Sequence, residues 1–155
     1  MLDVGIKKVA AKGLTDRIPL IQGDSENLPF QDETFDAYTV AFGVRNFEDL
    51  DRGLSEMYRV LTPGSLTVIL EFSNPKSFPI KQLFGFYFKH IMPVLGRLIS
   101  KDPAAYTYLP ESVKAFPEGA EFLDRLKTAH FIDLRAIPLT GGIASIYLGR
   151  KPGPE

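Results

Sequence analysis

Apolar positions recur along the chain with two periods, about 3.6 and about 2 residues, and each change of period marks an element. In MLDVGIKKVAAKGL, Leu2, Ile6, Val9 and Ala10 keep helical spacing and Gly13 supplies a stop, so the chain is expected to open on an amphipathic helix. Ile18 to Ile21 reads as a short strand. A loop carrying Gly23, Asn27, Pro29 and Asp32 leads to the apolar run Phe35 to Phe42, which has the pattern of a buried parallel strand. Asp49 then caps a helix whose stripe is Leu50, Leu54, Met57 and Leu61. Pro63-Gly64 turns the chain into Leu66 to Phe72, apolar enough to be covered on both faces. This strand–helix–strand order implies a parallel, right-handed crossover.

From Asn74 to Pro117 the alternation stops. Phe78, Phe84, Phe86, Tyr87, Phe88, Ile91, Met92, Leu95, Leu98 and Ile99 make the segment aromatic and apolar, while Lys81, Lys89, His90 and Arg97 interrupt it. Those charges disfavour a membrane span, which needs about 20 mostly apolar residues, and Pro93 predicts a kink or break. A further helix is expected from Pro117 to His130, with Phe122, Leu123 and Leu126 packing. Strands near Ile132 to Pro138 and Ile143 to Gly149 meet at Thr140-Gly141-Gly142 in a hairpin, and the tail after Arg150 is expected to fray. The organisation is one domain over residues 1–150, with 74–117 as a helical insertion and 151–155 as tail.

Composition narrows the function classes. With 155 residues, 45% of them hydrophobic, a single domain can bury roughly two-thirds of its unfolded surface. The 18 basic and 19 acidic residues give a formal charge of -1, no footprint for DNA or RNA, so nucleic acid is not an expected partner. Zero cysteines exclude disulfides, cysteine–metal sites and thiol catalysis, and fit an intracellular protein. No metal site is expected. The amino terminus lacks the continuous apolar stretch of a secretory signal.

Residues just beyond the carboxyl end of a parallel strand line the ligand crevice of an open α/β sheet, which singles out Gly43, Arg45 and Asn46 after Phe42. The plainer alternative pairs Arg45 with Glu48 or Asp49 and makes Asn46 a helix cap. Asp24 and Ser25, after the first strand, read equally as a turn or cap, and Glu26 as a solvated side chain.

The ordered set GDSENLPF, TFDAYTVAFGVRN, MYRVLTPG, LEFSNP and AYTYLPESV resembles the ubiquinone and menaquinone biosynthesis C-methyltransferases over nearly the whole chain. The resemblance implies an α/β, class I S-adenosylmethionine-dependent (Rossmann-like) fold, of which this chain matches the carboxyl-terminal part. It also implies methyl transfer to a ring carbon of demethylmenaquinol or a related polyprenyl benzoquinol. Asp24 and Ser25 would then lie beside the cofactor's adenine. Arg45 would stabilise the anionic quinol oxygen and Asn46 orient the substrate. Tyr106, Tyr108, Glu111 and Ser112 would line the quinol pocket, or the tyrosines would simply bury their rings under a lid. His90 and Asp102 are weak candidates for the proton acceptor, and His130 fits a helix cap. The aromatic stretch from Phe78 to Ile99 would guide a prenyl tail, touch a bilayer edge, or pack in the core or a dimer.

One part of the family pattern is missing. Among 13 glycines there is no G-x-G, and no carboxylate follows a suitable early strand, so the loop for the cofactor's methionyl part and the acid for its ribose are not in this sequence. The expectation is an amino-terminally truncated methyltransferase that binds S-adenosylmethionine weakly or not at all, inactive alone. The intact enzyme would be cytoplasmic, or peripheral to the inner face of the membrane. Loss of central strands would leave an exposed edge, so a homodimer is expected. The competing readings are a catalytically inactive, self-associating fragment and a methyltransferase of another small lipid.

Overall fold

The computed structural model describes residues 2–91 and 104–154, apart from the side chains of Phe88 and of residues 104–108. Among these, strands β1 (Phe35–Ala41), β2 (Leu61–Phe72), β3 (Ile132–Leu139) and β4 (Ala144–Arg150) form one sheet in the order β1-β2-β4-β3. β1 and β2 are parallel, joined through helix α2 (Leu50–Val60), and β4 runs antiparallel to both β2 and β3. Helix α1 (Leu2–Ala11) comes first, α3 (Ile80–Phe86) continues into a π turn at Tyr87–Ile91, and α4 (Ala104–Ala115) and α5 (Ala120–Thr128) precede β3.

The expected stripe forms the core. Leu54 and Met57 of α2 meet Phe122 and Leu126 of α5 over Leu61, Ile69, Phe131 and Tyr147, all buried. Asp49 caps α2 by accepting from the Arg52 N–H at 3.0 Å. The β3–β4 hairpin closes through Thr140–Gly142, with Gly141 at φ 66, a value that favours glycine. His130 sits at φ 70 just past α5, its N–H on the Lys127 carbonyl, the left-handed position of a helix cap.

Several expectations are corrected. Ile18 to Ile21 is not a strand: it pairs with no strand of the sheet, and Ile18, Leu20 and Ile21 are exposed. A strand needs a neighbour to take its ladder hydrogen bonds, and among the described residues this run has none. β1 is parallel but not buried, because it is an edge strand with Asp36, Ala37, Thr39 and Ala41 exposed. β2 is fully covered on one face and partly on the other. Ser65, Thr67, Ile69 and Glu71 are buried, whereas Leu66 is exposed and Val68, Leu70 and Phe72 are half-buried.

Two boundaries also move. α5 starts at Ala120 rather than Pro117, since Gly119 stands at φ 63 with its N–H on the Tyr147 hydroxyl at 2.9 Å, and Glu118 is held by the Asn74 N–H at 2.6 Å. The tail does not fray at once: Lys151 is buried, its Nζ donates to the Leu61 carbonyl at 2.7 Å, and its N–H bonds the Ser65 carbonyl. Among the described residues no helix is long and apolar enough to cross a membrane. Pro93, Leu95, Leu98 and Ile99 lie outside the described residues.

Candidate functional site

The site grows from the end of β1. Phe42 donates its N–H to Leu70 O at 2.8 Å, then adopts φ 56, a value rare for a bulky residue, and the chain enters a single 3-10 turn at Val44–Asn46. Val44 is buried and anchors the turn. Behind it the Phe47 ring lies on Gly53 of α2, where any Cβ would strike the ring. The turn is therefore fixed to the helix by a close approach that only glycine allows.

Arg45 pairs with neither Glu48 nor Asp49. Its Nη1 donates to Glu71 Oε1 at 2.7 Å and to the Phe42 carbonyl at 2.6 Å, its backbone N–H reaches Glu71 Oε2 at 3.3 Å, and its guanidinium lies 5.4 Å from the Phe72 ring centre. Glu71 is fully buried and also accepts the Phe72 N–H at 3.0 Å. Arg45 Nε is buried with no partner. One edge of the guanidinium is thus locked, and Nε remains a donor without an acceptor. Glu71 escaped the sequence reading, although a carboxylate inside the apolar strand LEF is the signal that could have found it, because a buried charge needs a partner.

The turn separates two clefts. On one side, a cavity of about 420 Å³ is lined by Arg45, Phe47, Leu50, Glu111, Ser112 and Phe116. On the other, a cavity of about 410 Å³ is lined by Asp24, Ser25, Gly43, Asn46 and Glu48. Arg45 and Asn46, neighbours in sequence, thus belong to different clefts, the first with Glu111 and Ser112, the second with Asp24 and Ser25. Ser112 is buried and its hydroxyl donates to Leu109 O at 3.0 Å, while Glu111 is exposed. The side chains of Tyr106 and Tyr108 lie outside the described residues, as does Asp102. His90 lines neither cleft; its ring stands 5.0 Å from that of Phe86.

The loop carrying Asp24 and Ser25 is held by carboxylates and arginines. Asp24 Oδ1 accepts the Glu26 N–H at 2.9 Å, an Asx turn, which leaves the second carboxylate oxygen for other partners. Glu26 is not a solvated side chain: it accepts the N–H groups of Glu48 at 2.7 Å and Asp49 at 3.1 Å, tying the loop to the start of α2. Further along, Glu56 accepts the Leu28 N–H at 2.8 Å, and Arg59 donates to Phe30 O, Leu28 O and Asp32. The Arg59 hydrogen bond, above all, holds the Glu56 carboxyl below its ordinary value, and the same bond pushes Arg59 up. The i, i+3 spacing of Glu56 and Arg59 was visible in the sequence; their reach across to the loop was not. A third cavity, of about 470 Å³, is apolar and lined by Phe72, Ile80, Leu83, Phe84, Tyr87 and Ile143.

Comparison with known proteins places this geometry. A solved S-adenosylmethionine-dependent methyltransferase from Aquifex aeolicus superposes with TM-score 0.65 at 16% identity, covering 96% of this chain and 62% of its own. A putative S-adenosylmethionine-dependent methyltransferase from Methanococcus maripaludis superposes with TM-score 0.61 at 22% identity, covering 99% and 63%. The chain therefore has the α/β fold of the carboxyl-terminal part of class I methyltransferases. In sequence it is 48% identical over 151 residues to the demethylmenaquinone methyltransferase of Bacteroides fragilis. It is 45% identical over 151 residues to the ubiquinone/menaquinone biosynthesis C-methyltransferase of Geotalea daltonii. The matches take in 97% of this chain, which spans 62% and 64% of those two relatives. The model of one family covers residues 1–151, and the chain belongs to it: the ubiE/COQ5 methyltransferase family.

Proposed function

We propose that this chain serves a methyltransferase that moves a methyl group from S-adenosylmethionine to a ring carbon of demethylmenaquinol or a related polyprenyl benzoquinol. The observation that carries the reading is the Val44–Asn46 turn, which stands between two clefts and presents Arg45 to one and Asn46 to the other. The chemistry of Asp24 and Ser25 fits the adenine end of the cofactor: a carboxylate with one oxygen uncommitted to the Asx turn, beside a hydroxyl. When bound, S-adenosylmethionine supplies an electrophilic methyl group. The sequence holds no G-x-G to serve its methionyl part and no carboxylate after a suitable early strand to serve its ribose, so weak or absent binding by this chain alone belongs to the proposal.

Carbon methylation requires the quinol to lose a hydroxyl proton, so that electron density reaches the ring carbon while the oxygen becomes anionic. Arg45 meets that charge with a guanidinium already oriented by Glu71 and Phe42 O, leaving no reorganisation to the moment of reaction. Glu71 offsets part of the positive charge, so Arg45 acts more as a placed donor than as a bare cation. Asn46, in the cleft with Asp24 and Ser25, would touch the ring only at the end that meets the cofactor's methyl group. Glu111 and Ser112 line the wall beside Arg45 where the quinol head would sit, Ser112 mainly holding its own helix.

The test is incubation of the chain, alone and joined to the amino-terminal region of a relative, with labelled S-adenosylmethionine and a short-chain demethylmenaquinol. Label in the quinol is expected only from the joined protein. Label on sterols or fatty acids and none on quinol would overturn the substrate assignment. A second reading, that the chain by itself is an inactive self-associating unit, is favoured by one observation: β1 stands at the sheet edge with nothing paired beyond it among the described residues.

A further inference from the structure

The segment after β2 combines an exposed apolar row with a basic flank. Phe78, Leu83 and Phe86 are 81%, 65% and 58% exposed, and Tyr87 and Ile91 continue the row along α3 and its π turn at spacings of three and four. Ile80 and Phe84, which line the apolar cavity together with Leu83 and Tyr87, are half-buried. The charge along the segment itself is of one sign, with Lys76 reaching Glu118 of the loop before α5 at 3.7 Å. Between Glu71 and Asp102 the sequence holds no acidic residue, but it holds Lys76, Lys81, Lys89, Arg97 and Lys101, in a chain whose formal charge is -1. Lys76, Lys81 and Lys89 are exposed.

We propose that α3 and its π turn dock on an anionic lipid surface, with Phe78, Leu83 and Phe86 entering the interface and Lys81 and Lys89 meeting the headgroups. An apolar row alone would suit a second copy of the chain equally well. The basic flank decides between them, because two copies would bring like charges together, whereas an anionic headgroup layer complements the same lysines. The apolar cavity supports the assignment. Leu83, Phe84 and Tyr87 line it together with Phe72, and the Phe72 ring lies under the Arg45 guanidinium. Phe72 thus touches both the cavity beneath the lipid-facing helix and the Arg45 guanidinium, a place where the prenyl chain of a substrate drawn from a bilayer would rest; that purpose rests on the quinol reading, the docking itself does not.

Flotation of the 155-residue chain with vesicles in a density gradient tests it, since aggregated protein sinks and only bound protein rises. The chain should float with vesicles of phosphatidylglycerol and phosphatidylcholine, and do so less in raised salt and with phosphatidylcholine alone. K81E/K89E should lower partitioning by about 30-fold or more, and F78S/F86S by about tenfold or more, with unchanged circular dichroism because these side chains are exposed. Flotation indifferent to lipid charge, or to both variants, overturns the proposal. So does failure to float accompanied by a concentration-dependent dimer that F78S/F86S abolishes, which would assign the face to a second copy. Methyl transfer to a short-chain quinol needs no vesicle, so absent flotation leaves the function proposed above standing, and absent transfer leaves the docking standing.

Discussion

Arg45 and Glu71 lie 2.7 Å apart, the one in the turn after β1 and the other one residue from the end of β2, so the pair joins the two parallel strands at the rim of the clefts. Glu71 is fully buried and Arg45 nearly so. Removing one partner of such a pair strands the other charge. Glu71→Ala should therefore cost about 3–5 kcal/mol in urea unfolding. Glu71→Gln keeps an acceptor for Arg45 and should cost clearly less. Equal losses in the two variants would show that side-chain volume, not charge pairing, sets the stability there.

Arg45→Met keeps a long apolar stem over Phe72 and deletes the donors. In a protein that carries the complete cofactor site, turnover on the quinol should fall by roughly 10²–10³, with cofactor affinity little changed. Unchanged turnover in a folded variant would leave Arg45 with a structural role alone.

Asp24 and Ser25 offer one end of a cofactor site. If this chain lacks the ribose and methionyl contacts, as proposed, and each such group of hydrogen bonds is worth on the order of 1–3 kcal/mol, binding is weakened by orders of magnitude. Calorimetric titration of this chain with S-adenosylmethionine should show no saturation below about millimolar concentration. Micromolar binding would mean that residues 1–155 supply those contacts by another route.

Glu56 gives a pH dependence with a definite sign. Its folded carboxyl is held below the ordinary value of 4.5, chiefly by the Arg59 hydrogen bond. The unfolded chain therefore binds the proton more readily, and the stability Glu56 contributes is complete above the ordinary value and lost as pH falls through the folded one. The urea midpoint should drop on acidification through that window, and the drop should be smaller in Glu56→Gln. A midpoint equally acid-sensitive in the variant would assign the effect to other carboxylates.

β1 supplies the prediction on self-association. The Phe42 N–H bonds Leu70 O, so by strand alternation the N–H groups of Val40 and Tyr38 face β2 and that of Thr39 faces the open edge. Light scattering should show a dimer or larger species, with Ala37 to Phe42 near the contact. Thr39→Pro blocks the outer edge while leaving the β2 pairing, and should give monomer. A wild-type monomer at micromolar concentration, or a dimer indifferent to Thr39→Pro, would move the contact elsewhere.

What could be read from sequence was local. The Asp49 cap, the Leu50, Leu54 and Met57 stripe and the Thr140–Gly142 hairpin depend on residues within a few positions of one another, and all stand in the structure. Ile18 to Ile21 failed because strand identity needs a neighbour, which composition does not reveal. β2 reads as doubly covered because hydrophobicity records what a face could bury, not what lies against it. At the site, Asp24, Ser25, Arg45, Asn46, Glu111 and Ser112 do line the two clefts. Their division between opposite sides of one turn, and the roles of Glu71 and Glu26, rest on contacts more than 20 positions apart.

Lys151 follows the last strand, yet its Nζ holds the Leu61 carbonyl and lies 4.7 Å over the Tyr58 ring, and its backbone exchanges hydrogen bonds with Gly64 and Ser65. This one side chain latches the irregular first residues of β2, where the register against β1 shifts, to the segment that leaves β4. The cooperative unit therefore ends at an ammonium group rather than at the edge of a sheet. Loss of Pro152 would remove one of the two carbonyls that accept the Gly64 N–H, and loss of Lys151 would unfasten the α2–β2 junction.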